Sequence, residues 1–273
     1  MRTQLVSIPT DTIPLDGALH EPDGPARGAV LLFHGNTMNF YTGAPRFLPP
    51  VLTAMGYACL AFNRRGHDIL AIRNSRATEG AAFQTTAQGI ADNRIAAEWM
   101  AARGFPAPVI IGHSNGGMLA VQHVHDHPET PALVLLSAHA GGNGAIFSQI
   151  RAGHLAQDRY ESVLATARAM VAEGRGDELM LLPGWWYVIS AASYVDRMTT
   201  MPAVLDLAPK IRTPTLYIRG DDENPDGYPA ERFAELAGGP AEAQVLPNCD
   251  HFYNGCEDLV CDRVSTWLAR TLP

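Results

Sequence analysis

No apolar run in this 273-residue chain approaches the roughly 20 residues needed to span a bilayer. No basic stripe is present either. The net charge is −8, and phosphate binding needs clustered Lys and Arg, so composition argues against a nucleic-acid partner. Met1-Arg2-Thr3-Gln4 is not followed by the apolar run and small-residue cleavage site of a secretory signal. Cysteine is scarce, and none of the four residues forms Cys-x-x-Cys or a common zinc spacing. Cys59, Cys249, Cys256 and Cys261 therefore read as free thiols, and the expected location is cytoplasmic. No internal repeat or low-complexity block stands out. What remains is an ordinary globular balance, 47% apolar and 18% charged. A chain of this length buries enough apolar area to need no disulfide or metal staple.

Short apolar runs alternate with helical patterns. Gly28–Phe33, Tyr57–Phe62, Pro108–Gly112, Ala132–Ser137 and Thr215–Arg219 are near-continuously apolar. Parallel strands covered on both faces have that character. Residues 87–102 place Ile95, Trp99 and Ala102 at helical spacing, and residues 257–270 do the same with Val260, Val264, Trp267 and Leu268. The alternation predicts an α/β fold with a mostly parallel sheet between helices. Residues 3–20 read as an antiparallel edge hairpin, with Asp16-Gly17 as its turn.

Residues 140–208 break this rhythm. Helical patterns appear there without a clear strand, including 160–173 and the aromatic run Trp185-Trp186-Tyr187. The stretch reads as a helical cap over one end of the sheet, with residues 1–139 and 209–273 forming the core. Trp185, Trp186 and Tyr187 either line a substrate pocket or anchor the cap, since aromatics serve both ends.

Chemistry concentrates at Gly112-His113-Ser114-Asn115-Gly116, between an expected strand and an expected helix. A serine on such a sharp turn presents its hydroxyl at the end of the sheet, and flanking glycines leave room for it. The backbone N–H of Asn115 would face developing negative charge at a helix N-terminus. A serine hydroxyl is a weak nucleophile until a base takes its proton. His251, in a loop just before the last helix, is the candidate base. An acid must then hold the imidazole tautomer. The loop Gly220–Asp226 offers four carboxylates, Asp221, Asp222, Glu223 and Asp226.

Four motifs, in order, resemble those of the α/β-hydrolase superfamily: His34-Gly35, Arg65-Gly66-His67-Asp68, Gly112-His113-Ser114-Asn115-Gly116 and Asp250-His251-Phe252. The resemblance covers nearly the whole chain. It implies an eight-stranded, mostly parallel sheet with a helical lid between strands six and seven, and no cofactor. It implies the chain order nucleophile, acid, base. It points to Glu223 as the acid, with Asp222 as the alternative, although this family more often uses Asp. The second oxyanion donor is implied in the loop after the third strand, where Asn36 is preferred over Thr37. Arg65–Asp68 is implied to be structural.

The expected reaction is hydrolysis of a carboxylic ester of a small or medium-sized substrate through an acyl-Ser114 intermediate. Amide, lactone, thioester and carbon–carbon bond hydrolysis use the same machinery, and fold does not choose among them. A ligand-binding protein of the same shape is the alternative outside catalysis. His123 and His127 lie i, i+4 on one helix, but a pair falls short of the ligand number zinc requires, so no metal site is expected. The pattern leaves a homo-oligomer open.

Overall fold

The structure is a computed structural model that describes residues 1–72, 78–142, 156, 159–183 and 188–273. Trp185, Trp186 and Tyr187 lie outside the described residues.

Eight strands form one sheet. In chain order they are β1 (Arg2–Ile8), β2 (Leu15–Glu21), β3 (Gly28–Phe33), β4 (Tyr57–Phe62), β5 (Val109–His113), β6 (Leu133–Leu136), β9 (Thr215–Gly220) and β10 (Ala241–Leu246). Their order across the sheet is β1-β2-β4-β3-β5-β6-β9-β10. The strands from β4 to β10 run parallel, while β2 is antiparallel to both β1 and β4. The five apolar runs picked out by composition are therefore the parallel strands β3, β4, β5, β6 and β9.

Two layers of helix explain why those runs are apolar on both faces. On one face α1 (Ala44–Ala54) and α8 (Glu257–Thr271) cover Val30, Leu32, Cys59, Ile111, Val134 and Ile218. On the other, α2 (Thr86–Ala101), α3 (Asn115–Asp126), α6 (Val204–Leu207) and α7 (Ala230–Leu236) cover Leu31, Phe33, Leu60, Ile110, Leu135 and Tyr217. Helix α2 starts on a capping box: Thr85 Oγ1 accepts from Gln88 N while Gln88 Oε1 accepts from Thr85 N.

The first expected turn is corrected. Asp16 and Gly17 lie inside β2, paired with Ser7 and Val6, and the reversal falls between residues 8 and 15. Gly17 is needed there because a Cβ would press on the Ala61 carbonyl and Phe62 of β4. A close strand approach, rather than a turn, uses the glycine.

A second correction concerns the stretch after β6. It holds α4 (Tyr160–Ala172) and α5 (Ala191–Thr199), but also a two-stranded antiparallel hairpin, β7 (Leu179–Leu181) with β8 (Val188–Ser190). Ala167, Met170, Leu182, Ile189, Tyr194 and Met198 form an apolar cluster of its own there. Residues Val204 and Ala208 pack instead with the α3 face of the main core. No helix among the described residues is long and apolar enough to cross a membrane.

The third correction concerns cysteine. Cys249 and Cys256 are joined by a disulfide, with Cα atoms 6.2 Å apart, while Cys59 and Cys261 are free. Asn248, Tyr253 and Gly255 all have positive φ, so the loop doubles back and brings positions seven apart together.

Candidate active site

Ser114 sits between β5 and α3 with φ 55° and ψ −120°. That conformation is costly for a residue with a Cβ and persists only where surrounding structure fixes it. Here it is fixed from three sides. Ser114 N donates to Leu136 O of β6 at 2.9 Å. Its carbonyl accepts from Gly117 N at 3.0 Å, Met118 N at 3.1 Å and His139 N at 3.0 Å. A Cβ on Gly112 would stand 2.8 Å from Gly117 Cα, so the turn closes only around glycine.

The Ser114 hydroxyl lies 3.0 Å from His251 Nε2, and His251 Nδ1 lies 2.7 Å from Glu223 Oε1. A carboxylate only accepts, so Nδ1 carries the proton and Nε2 is the acceptor facing Ser114. Glu223 is buried at the end of β9. Its second oxygen accepts from Gly220 N at 2.8 Å and from Ser137 Oγ at 2.6 Å. Asp222, the alternative acid, is exposed and has no contact with His251 among the described residues.

Two residues that the sequence did not single out complete this line. Ser137 follows β6 with φ 44° and is fully buried. Its hydroxyl is 2.7 Å from the Tyr253 hydroxyl, which is itself 3.1 Å from Ile218 O. Ser137 donates its one proton to Glu223, and the single Tyr253 proton is shared between Ser137 Oγ and the Ile218 carbonyl. Burial, and then the Glu223 charge, push the Tyr253 phenol well up, which keeps it a donor.

The loop of His251 is held by its neighbours. Asp250 Oδ1 accepts from Phe252 N and Asn254 N, each at 3.0 Å. His113 Nε2 donates to His251 O at 2.8 Å. His113 is fully buried, and desolvation, with the His251 charge next, brings it down to about 3. It is thus a neutral prop under the loop. His139 is brought down to about 3 as well, by burial first and then by His251 and Arg197.

Asn115 follows Ser114 in the chain, and Asn36 lines the same small cleft as Asn115. Asn115 N is the first amide of α3, and among the described residues neither the Asn36 nor the Asn115 N–H has a protein partner. The Asn36 side chain accepts from Arg197 Nη2 of α5 at 3.2 Å. His123 and His127 stack at 4.5 Å, and no group of three metal-ligating side chains exists among the described residues.

Comparison with known proteins agrees with this fold. A family model described as alpha/beta hydrolase family matches residues 30–263. No curated protein matches the chain by sequence. Among solved structures, it is similar to Est1E from Butyrivibrio proteoclasticus bound to ferulic acid, with TM-score 0.74 and 19% identity over 97% of this chain and 98% of that one. The alpha/beta hydrolase GrgF from Penicillium sp. sh18 gives TM-score 0.75 at 15% identity, over 99% of each chain. A thermostable carboxyl esterase from Bacillus coagulans, in complex with glycerol, gives 0.72 at 14% over 99% of each.

Proposed function

This chain belongs to the alpha/beta hydrolase family, and we propose that it is a serine hydrolase that cleaves a carboxylic ester of a small or medium-sized substrate. One observation carries the reading: an unbroken hydrogen-bonded line from Ser114 Oγ through His251 to Glu223.

His251 Nε2 takes the Ser114 proton as Oγ attacks the ester carbonyl. The carbonyl oxygen becomes an oxyanion facing the Asn36 and Asn115 N–H groups, which are aimed at charge that exists only after attack. The imidazolium, steadied by Glu223, returns its proton to the departing alcohol. Water then repeats the sequence on the acyl-Ser114 ester and releases the acid.

The similarity to esterases supports an ester over other acyl substrates. Asn36 and Asn115 line a small cleft together with Gln84, Met118, Leu119 and Arg197, and the substrate is proposed to enter there. Within residues 140–208, the part that holds α4, the β7–β8 hairpin and α5 is assigned to a lid, supported by its separate apolar cluster and by the Arg197 contact to Asn36, while Val204 and Ala208 belong to the main core.

The test is direct. A fluorophosphonate should label the wild type at Ser114, and Ser114→Ala should lose both label and ester turnover while staying folded. Turnover that persists in Ser114→Ala refutes the assignment. A panel of chromogenic esters run beside amides and lactones fixes the bond class.

A further inference from the structure

Arg64, in the loop after β4, is 1% exposed. Burying a guanidinium is costly unless a carboxylate and several acceptors meet it. Arg64 has no ion pair among the described residues. The nearby Asp92 carboxylate is spent on Arg65, accepting from its backbone N at 2.8 Å, from Nε at 2.8 Å and from Nη2 at 2.7 Å. Arg64 Nε and Nη1 have no protein partner among those residues.

What Arg64 does touch is specific. Nη2 donates to His34 O at 2.6 Å and lies 3.5 Å from Asn115 Oδ1. The Arg64 backbone N donates to His34 Nε2 at 3.1 Å. His34 opens the turn that carries Asn36, and Asn115 opens α3. One nitrogen therefore reaches both walls of the oxyanion hole. The walls already meet closely here, since a Cβ on Gly116 would collide with the carbonyls of Phe33 and His34. Arg64 seals that seam and sets a buried positive charge behind the two N–H groups, where little water screens it.

We propose that Arg64 is a positioning residue for the oxyanion hole, fixing the Asn36 turn against the start of α3 and adding a fixed positive charge behind it. This rests on the serine-hydrolase reading above. The cost of the buried charge makes a distinctive prediction: its removal should harm turnover without harming the fold.

Arg64→Met keeps the length of the side chain and removes the charge. The expected result is a fall in kcat of about tenfold or more, with KM within about twofold. A trifluoromethyl ketone, which forms a tetrahedral oxyanion on serine, should lose affinity in parallel. Tm should hold or rise, because apolar replacement of a buried charge is often stabilising. Arg64→Lys keeps the charge but not the two-walled reach, so its kcat should fall between those of Arg64→Met and wild type. An Arg64→Met variant with wild-type kcat and inhibitor affinity overturns the proposal, as does one whose loss of kcat follows a falling Tm and a rising KM. If Arg64→Met does not fold, Arg64→Lys decides: lowered kcat at unchanged KM and Tm supports the role, and unchanged kcat overturns it. Failure of the serine reading is separate, because it shows as absent phosphonate labelling of the wild type.

Discussion

Acidification should destabilise this protein well before its carboxylates titrate. His113 and His139 are fully buried, and desolvation holds each at about 3 against an ordinary 6.5. Above pH 6.5 both are neutral whether the chain is folded or not, so they contribute no pH dependence. Below it, the unfolded chain binds protons that the folded protein refuses. Stability present above the unfolded value is therefore lost as pH falls towards the folded one. The slope is about 1.36 kcal/mol per pH unit for each group. At about pH 5 each histidine removes about 2 kcal/mol, and the pair about 4 kcal/mol. His34, lowered well below its usual value mainly by burial, and His123, brought to about 4 by burial and His127, act in the same direction. Asp92, raised by burial, acts oppositely, but only near carboxylate pH. Against a typical stability of roughly 5–15 kcal/mol this is a large loss. Urea unfolding at about pH 7 and about pH 5 measures it, and the slope of stability against pH counts the protons taken up. A difference under about 1 kcal/mol, or native imidazoles of His113 and His139 seen by NMR to titrate near 6.5, would refute the reasoning.

Three further outcomes follow from the site. Glu223→Gln should cut kcat by about a thousandfold or more through the wrong His251 tautomer, while Asp222→Asn should stay within about twofold; steady-state kinetics on one ester separates them. Ser137→Ala removes a charge-assisted hydrogen bond worth about 1.5–3 kcal/mol, so kcat should fall by about tenfold or more, and a variant at wild-type rate would remove Ser137 from the line. Thiol titration of the denatured, unreduced protein should find only Cys59 and Cys261, and all four cysteines after a dithiol; four before reduction would dismiss the Cys249–Cys256 pairing.

Much of this was legible in sequence for physical reasons. The parallel strands announce themselves because two covering layers demand apolar residues on both faces. Ser114 stands out because only a glycine-flanked turn fits between β5 and α3. His251 and the acidic loop were reachable through chain order, and Glu223 through the family resemblance; His251 lies in contact with Ser114, and Glu223 with His251. Ser137 was not reachable. It meets Tyr253 across 116 positions, through the register of β6 on β9, and nothing local marks it beyond a hydroxyl directly after a wholly apolar strand. Arg64 was hidden behind Arg65, since adjacent arginines look alike until one is seen buried. The Asp16-Gly17 pair misled because the same dipeptide serves turns and close strand crossings. The disulfide escaped because its loop folds back through three positive-φ residues that spacing does not reveal.

The order of strands across the sheet has a temporal consequence. Ser114 rests on β6 early in the chain, but its proton acceptor is 137 residues further on, after β10 at the far edge. A chain still emerging from synthesis could assemble β1 to β6 and their helices with the serine turn in place, yet lack any base. Contacts of such long sequence separation form late, because loop closure must precede them. Ester turnover during refolding should therefore lag behind helix formation and rise only as β9 and β10 dock. On the proposed mechanism the chain would be inert until its last strands arrive, and activity would clock the end of folding.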